Sequence, residues 1–139
     1  MPAHVTAVYP FLTESKLTES VTARLAELCA ELPALDVTFA SLGRFPGVLY
    51  LAPQPAEGLR ALTASIAAEW PETPPYGGRF DHVVPHLTIA QGVCDDVMND
   101  VERDVSGRLP VRARLREARL YVFDGMRWQS RARLPFQAP

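Results

Sequence analysis

The chain contains three histidines, His4, His82 and His86, and two of them sit in the same short phrase. His4-Val5-Thr6-Ala7 and His86-Leu87-Thr88-Ile89 each place a threonine two residues after a histidine, between apolar neighbours. In an extended strand, residues i and i+2 point to one face, so each phrase presents an imidazole and a hydroxyl together. Val5 and Ala7, or Leu87 and Ile89, then point into an apolar layer. Two such strands side by side would gather two imidazoles and two hydroxyls on one surface. Near neutral pH one imidazole can take a proton while another gives one. Threonine hydroxyls donate hydrogen bonds to phosphate oxygens. The pattern therefore points to acid–base chemistry at a phosphoester, with no metal required. A lone His-x-Thr would more often be a surface histidine; its recurrence at matching places in two halves of the chain makes it a signal.

His82 and His86 also form an H-x-x-x-H spacing, which binds zinc when it lies on a helix. Pro85 removes a backbone donor and disfavours a helical Val84, and on an extended strand the rings would stand roughly 13 Å apart. His82 is read as a surface residue, and no metal or other cofactor is expected.

The surrounding elements follow from periodicity. Residues 3–9 are β-branched and aromatic between Pro2 and Pro10, the signature of a strand. From Thr18 to Leu32, apolar residues recur at three- and four-residue steps, an amphipathic helix stopped by Pro33. Leu35–Phe39 and Gly47–Ala52 read as adjacent strands around a Phe-Pro-Gly turn, and Pro55–Trp70 as a helix carrying Leu59, Leu62, Ile66 and Trp70 on one stripe. Residues 71–78, rich in proline and glycine, form a loop. The order then repeats: a strand at Val83–Ala90, a helix at Asp95–Leu109 with Val97, Val101 and Val105 on its apolar side, and strands at Val111–Leu115, Leu120–Phe123 and Trp128–Leu134. Asp124-Gly125 makes the last hairpin turn. The economical interpretation is one α+β domain over residues 1–139 with an internal repeat, approximately 3–54 and 83–134.

The bulk composition agrees. The 139 residues are 47% hydrophobic and 22% charged with a formal charge of −2, as expected of a soluble globular protein. No apolar run is long enough for a membrane helix, no signal-peptide pattern opens the chain, and a cytoplasmic location is expected. Cys29 and Cys94 are read as free thiols packed as small hydrophobes. The slightly acidic balance argues against coating long DNA but leaves small anionic ligands open.

At these residues the sequence resembles the two-histidine (2H) phosphoesterase superfamily, the bacterial 2′-5′ RNA ligase-like proteins. The resemblance rests on the paired His-x-Thr phrases and on Pro2-Ala-His-Val-Thr-Ala-Val-Tyr-Pro-Phe11, Gly43-Arg-Phe-Pro-Gly-Val-Leu-Tyr-Leu51, Pro74-Pro-Tyr-Gly-Gly78 and Val84-Pro-His-Leu-Thr-Ile89. It implies a bilobal α+β fold, with two antiparallel sheets related by a pseudo-twofold around a central cleft and helices outside. It also implies hydrolysis or transfer at a 2′,3′-cyclic phosphate or 2′-5′ phosphodiester of a small nucleotide or RNA end. His4 and His86 carry over as the acid–base pair, and Thr6 and Thr88 as phosphate ligands. Similar proteins generally carry an additional strand before the first motif, whereas His4 lies three residues after the first methionine. That difference implies a sheet edge left open, or covered by another segment or by a second subunit in a homodimer, or else a true start that lies upstream.

Further residues have two readings. Arg112, Arg114 and Arg116 share a strand face, as do Arg131 and Arg133; they are solvated edge positions, or cations that orient a phosphate. Tyr76 and Phe45 are loop aromatics that pack locally or stack on a base. Phe11, Trp70 and Trp128 are assigned to the core, and Asp95 and Asp96 to helix capping. An enzyme, a nucleotide- or RNA-end-binding module with little turnover, and the same scaffold recruited to a non-nucleotide metabolite are all compatible with the motifs.

Overall fold

The computed structural model describes residues 1–79 and 83–137. In chain order its elements are α1 (Glu19–Ala30), β1 (Leu35–Phe45), β2 (Val48–Gln54), α2 (Glu57–Glu69), β3 (Leu87–Gln91), α3 (Asp95–Ser106), β4 (Val111–Leu115), β5 (Glu117–Phe123) and β6 (Trp128–Pro135), with short 3₁₀ turns at 14–16 and 75–78. The result is an α+β fold with two antiparallel sheets. One has four strands in the order β3-β2-β1-β4, and the other is the β5-β6 hairpin. The larger sheet interleaves strands from both halves of the chain, so the sequence repeat does not divide into one sheet per half.

The helices form where the apolar spacing requires. The Thr18 hydroxyl caps α1 by accepting from the Val21 N–H, and the helix buries Leu25 and Cys29. Leu59, Leu62 and Ile66 are the buried stripe of α2. These two helices and the β5-β6 hairpin enclose one core, with Trp70, Leu120, Leu134 and Phe136 buried within it. Phe11 packs against that core, edge-on to Trp70 at 5.3 Å. A second core lies on one face of the four-stranded sheet, where Val37, Phe39 and Leu51 are buried beneath Val105 of α3, with Val5 and Leu87 alongside. Arg44 of β1 ties α3 to the same face through Asn99 and Glu102.

Several expectations are corrected. Residues 3–9 form no strand: they make a single antiparallel bridge, Val5 to Leu87, on the outer edge of β3. Their carbonyls find other donors. The Ala7 carbonyl accepts from the Thr63 hydroxyl at 2.8 Å, and the Tyr9 carbonyl from the Tyr76 N–H at 2.6 Å. Pro2 and Pro10 lack the N–H groups a ladder would use. In α3 the buried residue is Met98, while Val97 is 44% exposed. Cys94 is exposed at the N-cap of α3, unlike the buried Cys29. Asp95 and Asp96 lie in the first turn, where they favour the helix dipole rather than cap it.

Trp128 is the clearest departure. It is 42% exposed, not buried. The hairpin register shifts between Leu120 and Tyr121, so that Leu120 faces Ala132 but Tyr121 faces Ser130. The extra residue, Arg131, reverses the alternation toward the turn, and Trp128 emerges on the face opposite Leu134. The same bulge separates Arg131, which pairs with Glu14, from Arg133, which pairs with Glu117.

Candidate active site

His86 directly precedes β3, and Thr88 lies within it opposite Tyr50 of β2, itself opposite Gly43 of β1. Strand alternation turns these residues away from the buried Leu49 and Leu51, onto the open face of the sheet. There His86 meets an aromatic wall. Its ring stands edge-on to Phe45 at 5.2 Å and to Tyr50 at 5.6 Å, while Phe45 and Tyr50 stack at 4.3 Å. Gly43 makes room for that wall, since a Cβ there would overlap the Tyr50 ring, 2.8 Å from its Cε2. Val84 carbonyl accepts from His86 Nδ1 at 2.7 Å.

The first phrase repeats this arrangement. His4 Nδ1 donates to the Pro2 carbonyl at 2.9 Å, again two residues back. A carbonyl can only accept, so in both rings Nδ1 carries the hydrogen and Nε2 is left for chemistry. The Val5–Leu87 bridge sets the segments antiparallel, with both apolar residues in the same core. That register runs His4 toward Thr88 and Thr6 toward His86, on the side away from the core. Thr6 also lines a groove of about 410 Å³ with Leu59, Arg60 and Thr63 of α2 and with Val84 and Pro85. Neither this groove nor the larger concavity at the β5-β6 tip is lined by His4 or His86.

The remaining candidates are dispersed. Arg112 and Arg114 share the open face of the sheet, opposite Thr38 and Asp36. Arg114 is held by both Asp36 carboxylate oxygens at 2.9 Å, whereas Arg112 has no ion pair among the described residues. From β3 to β4 is three strand spacings, about 14 Å between backbones, so Arg112 and His86 stand on the same face at opposite edges of the sheet. Arg116 is not on their strand at all; it is the single residue between β4 and β5. Tyr76 sits half-buried in its loop with a left-handed backbone (φ 54°), and burial raises its phenol pKa. Tyr50, Gly43 and Thr63 support the site without having been singled out in the sequence. The signal for the first two was the small residue at Gly43 near Phe45, across from an aromatic that alternates out of the Leu49–Leu51 face.

Among the described residues, no group of three or more His, Cys, Asp or Glu side chains is gathered as a metal-ligand set would be, and His82 lies outside them. No described helix is long and apolar enough to cross a membrane. The chain matches the model of the 2′-5′ RNA ligase superfamily over residues 1–127 and belongs to that family. No curated protein matches it.

Proposed function

We propose that this member of the 2′-5′ RNA ligase superfamily is a phosphoesterase acting on a 2′,3′-cyclic phosphate or 2′-5′ phosphodiester of a nucleotide or RNA end. His4 and His86 exchange the protons, and Thr6 and Thr88 hold the phosphate. One observation carries this reading: a single antiparallel bridge sets the two His-x-Thr segments side by side, each histidine tied through Nδ1 to the carbonyl two residues before it.

The tautomer suits both roles. A neutral imidazole with its hydrogen on Nδ1 offers the Nε2 lone pair as a base; the protonated ring offers Nε2–H as an acid. In hydrolysis of a cyclic phosphate, water attacks phosphorus as one Nε2 accepts its proton. The ring P–O bond breaks, and the other Nε2–H protonates the departing ribose oxygen, leaving a phosphomonoester. Threonine hydroxyls donate to the non-bridging oxygens as charge builds on them. The pseudo-twofold cleft of the family would place the open sheet face, with Phe45 and Tyr50, against the sugar or base.

The test is turnover of a panel of 2′,3′-cyclic nucleotides in a chelator, with the product phosphate located by ³¹P NMR. Wild-type protein should give a single monoester with a bell-shaped pH profile. His4→Ala and His86→Ala should each lose about 10²- to 10⁴-fold in kcat. Full turnover by folded His86→Ala would overturn the assignment. The slight anchoring of the first segment also supports a second reading, an RNA-end-binding module with little turnover; retained binding of the nucleotide without conversion would select it.

A further inference from the structure

The groove of about 410 Å³ that begins at Thr6 excludes both histidines and carries a charge of its own. One wall is α2, which contributes Arg60, Thr63, Ala64 and Ala67, residues that recur at three- and four-residue steps along one side of the helix. Val84 and Pro85, directly before His86, line it as well. Thr63 fastens the first phrase to this helix, its hydroxyl donating to the Ala7 carbonyl at 2.8 Å. Arg60 stands three residues before Thr63, about 4.5 Å of helix rise. Thr6 and Arg60 are therefore within the length of one small ligand.

Charge selects the occupant. Among the described residues that line the groove, Arg60 is the one cation and none is acidic; apart from Thr6 and Thr63 the other walls are aliphatic. Arg60 makes no ion pair among the described residues, whereas Arg44 is held by Glu102 and Arg114 by Asp36. An unopposed guanidinium between aliphatic walls attracts an anion, and its fork of donors matches a phosphate. No aromatic ring lines the groove, so a base finds its stacking partners elsewhere, at Phe45 and Tyr50 beside His86. The volume is that of a small-molecule site. We infer that the groove is a subsite for a second phosphate of the substrate, held by Arg60 while the reacting phosphate lies between Thr6 and the histidines. The inference rests on the proposed function and narrows its substrate class to small nucleotides that carry a 5′-phosphate in addition to the phosphoester that reacts.

Unreactive ligands separate this subsite from the chemistry. Adenosine 3′-phosphate and adenosine 3′,5′-bisphosphate, neither of which contains a cyclic phosphate or a phosphodiester, are titrated by calorimetry into wild-type, Arg60→Ala and Arg60→Lys proteins. Turnover of 2′,3′-cyclic nucleotides with and without a 5′-phosphate is measured alongside. Arg60 is exposed, and unchanged thermal unfolding would confirm intact variants. Wild-type protein should bind the bisphosphate about tenfold or more tightly than the monophosphate. Arg60→Ala should abolish that preference through lost bisphosphate affinity, with far less change for the monophosphate, and Arg60→Lys should keep part of it. A wild-type preference without turnover of any phosphoester would leave the subsite standing and remove the proposed reaction. Equal affinity of wild-type protein for the two ligands, or a preference that survives undiminished in Arg60→Ala, would overturn the subsite whatever the turnover.

Discussion

The two His-x-Thr segments share a local hydrogen bond and differ in nearly everything that holds them. His86 enters a four-stranded sheet, with β2 on one side and the Phe45–Tyr50 wall against its ring. His4 is exposed, on a segment joined to β3 by one bridge and to α2 by the single Thr63–Ala7 bond. Both segments solve the tautomer problem with the carbonyl two residues back, which costs no tertiary structure. Orientation is another matter: a ring needs walls, and among the described residues aromatic walls stand against His86 and not against His4. In a reaction requiring both histidines, the less supported one sets how often the site is complete.

This difference can be attacked from each side. The largest effect is expected from Gly43→Ala, whose methyl overlaps Tyr50 and displaces the wall behind His86. It should lower kcat about tenfold or more, since small misplacements of a reacting group are costly, and have little further effect in a Tyr50→Leu background. Additive losses in the double variant would break the link between Gly43 and the wall. Thr63→Val removes the donor to the Ala7 carbonyl and acts on the His4 side. An unsatisfied part-buried carbonyl costs about 1–3 kcal/mol, here confined to a local segment, so kcat should fall severalfold while the melting temperature moves little. Hydrogen exchange reads the contrast without mutation: the residue 5 and 6 amides should exchange orders of magnitude faster than those of residues 88–90, and equal protection would erase the distinction.

The smallest effect lies in the hairpin. Arg133, then Arg119, hold the Glu117 carboxylate down to about 2 from its ordinary 4.5. Because the folded value is the lower one, this contribution is complete above about pH 4.5 and is lost as pH falls toward 2. Glu117→Gln should therefore flatten the acid-side decline of stability, measured by denaturant melts across that range, while leaving the pH 7 turnover of cyclic nucleotides unchanged.

Much of this architecture was legible in local pattern. All three helices stand where the apolar spacing put them, and the strands at β1, β2 and β3 to β6 lie where alternation and turn residues placed them, with shifted ends. Sheet order was not legible, because β3 pairing with β2 and β4 with β1 is non-local. Residues 3–9 have the composition of a strand, but a strand exists only through its partners, and theirs are a threonine hydroxyl and a loop amide. The paired phrases were visible as identities; the wall behind one of them depended on a glycine facing a tyrosine across two strands. Trp128 was misread for a related reason. Strict alternation from Leu134 puts it in the core, and no residue type announces the shift at Arg131 that moves it out.

That shift has an evolutionary corollary. Removing one codon, that of Arg131, would straighten β6 and leave every remaining pair in place: Leu134 and Ala132 would still face the core, and Trp128 would still stand outward opposite Phe123. Arg131 is a surplus residue that the hairpin accommodates, and its loss would take away only the ion pair to Glu14. Among descendants of this chain, a deletion at that position would therefore be better tolerated than one at any neighbouring residue of β6, where every side chain beyond it would change face.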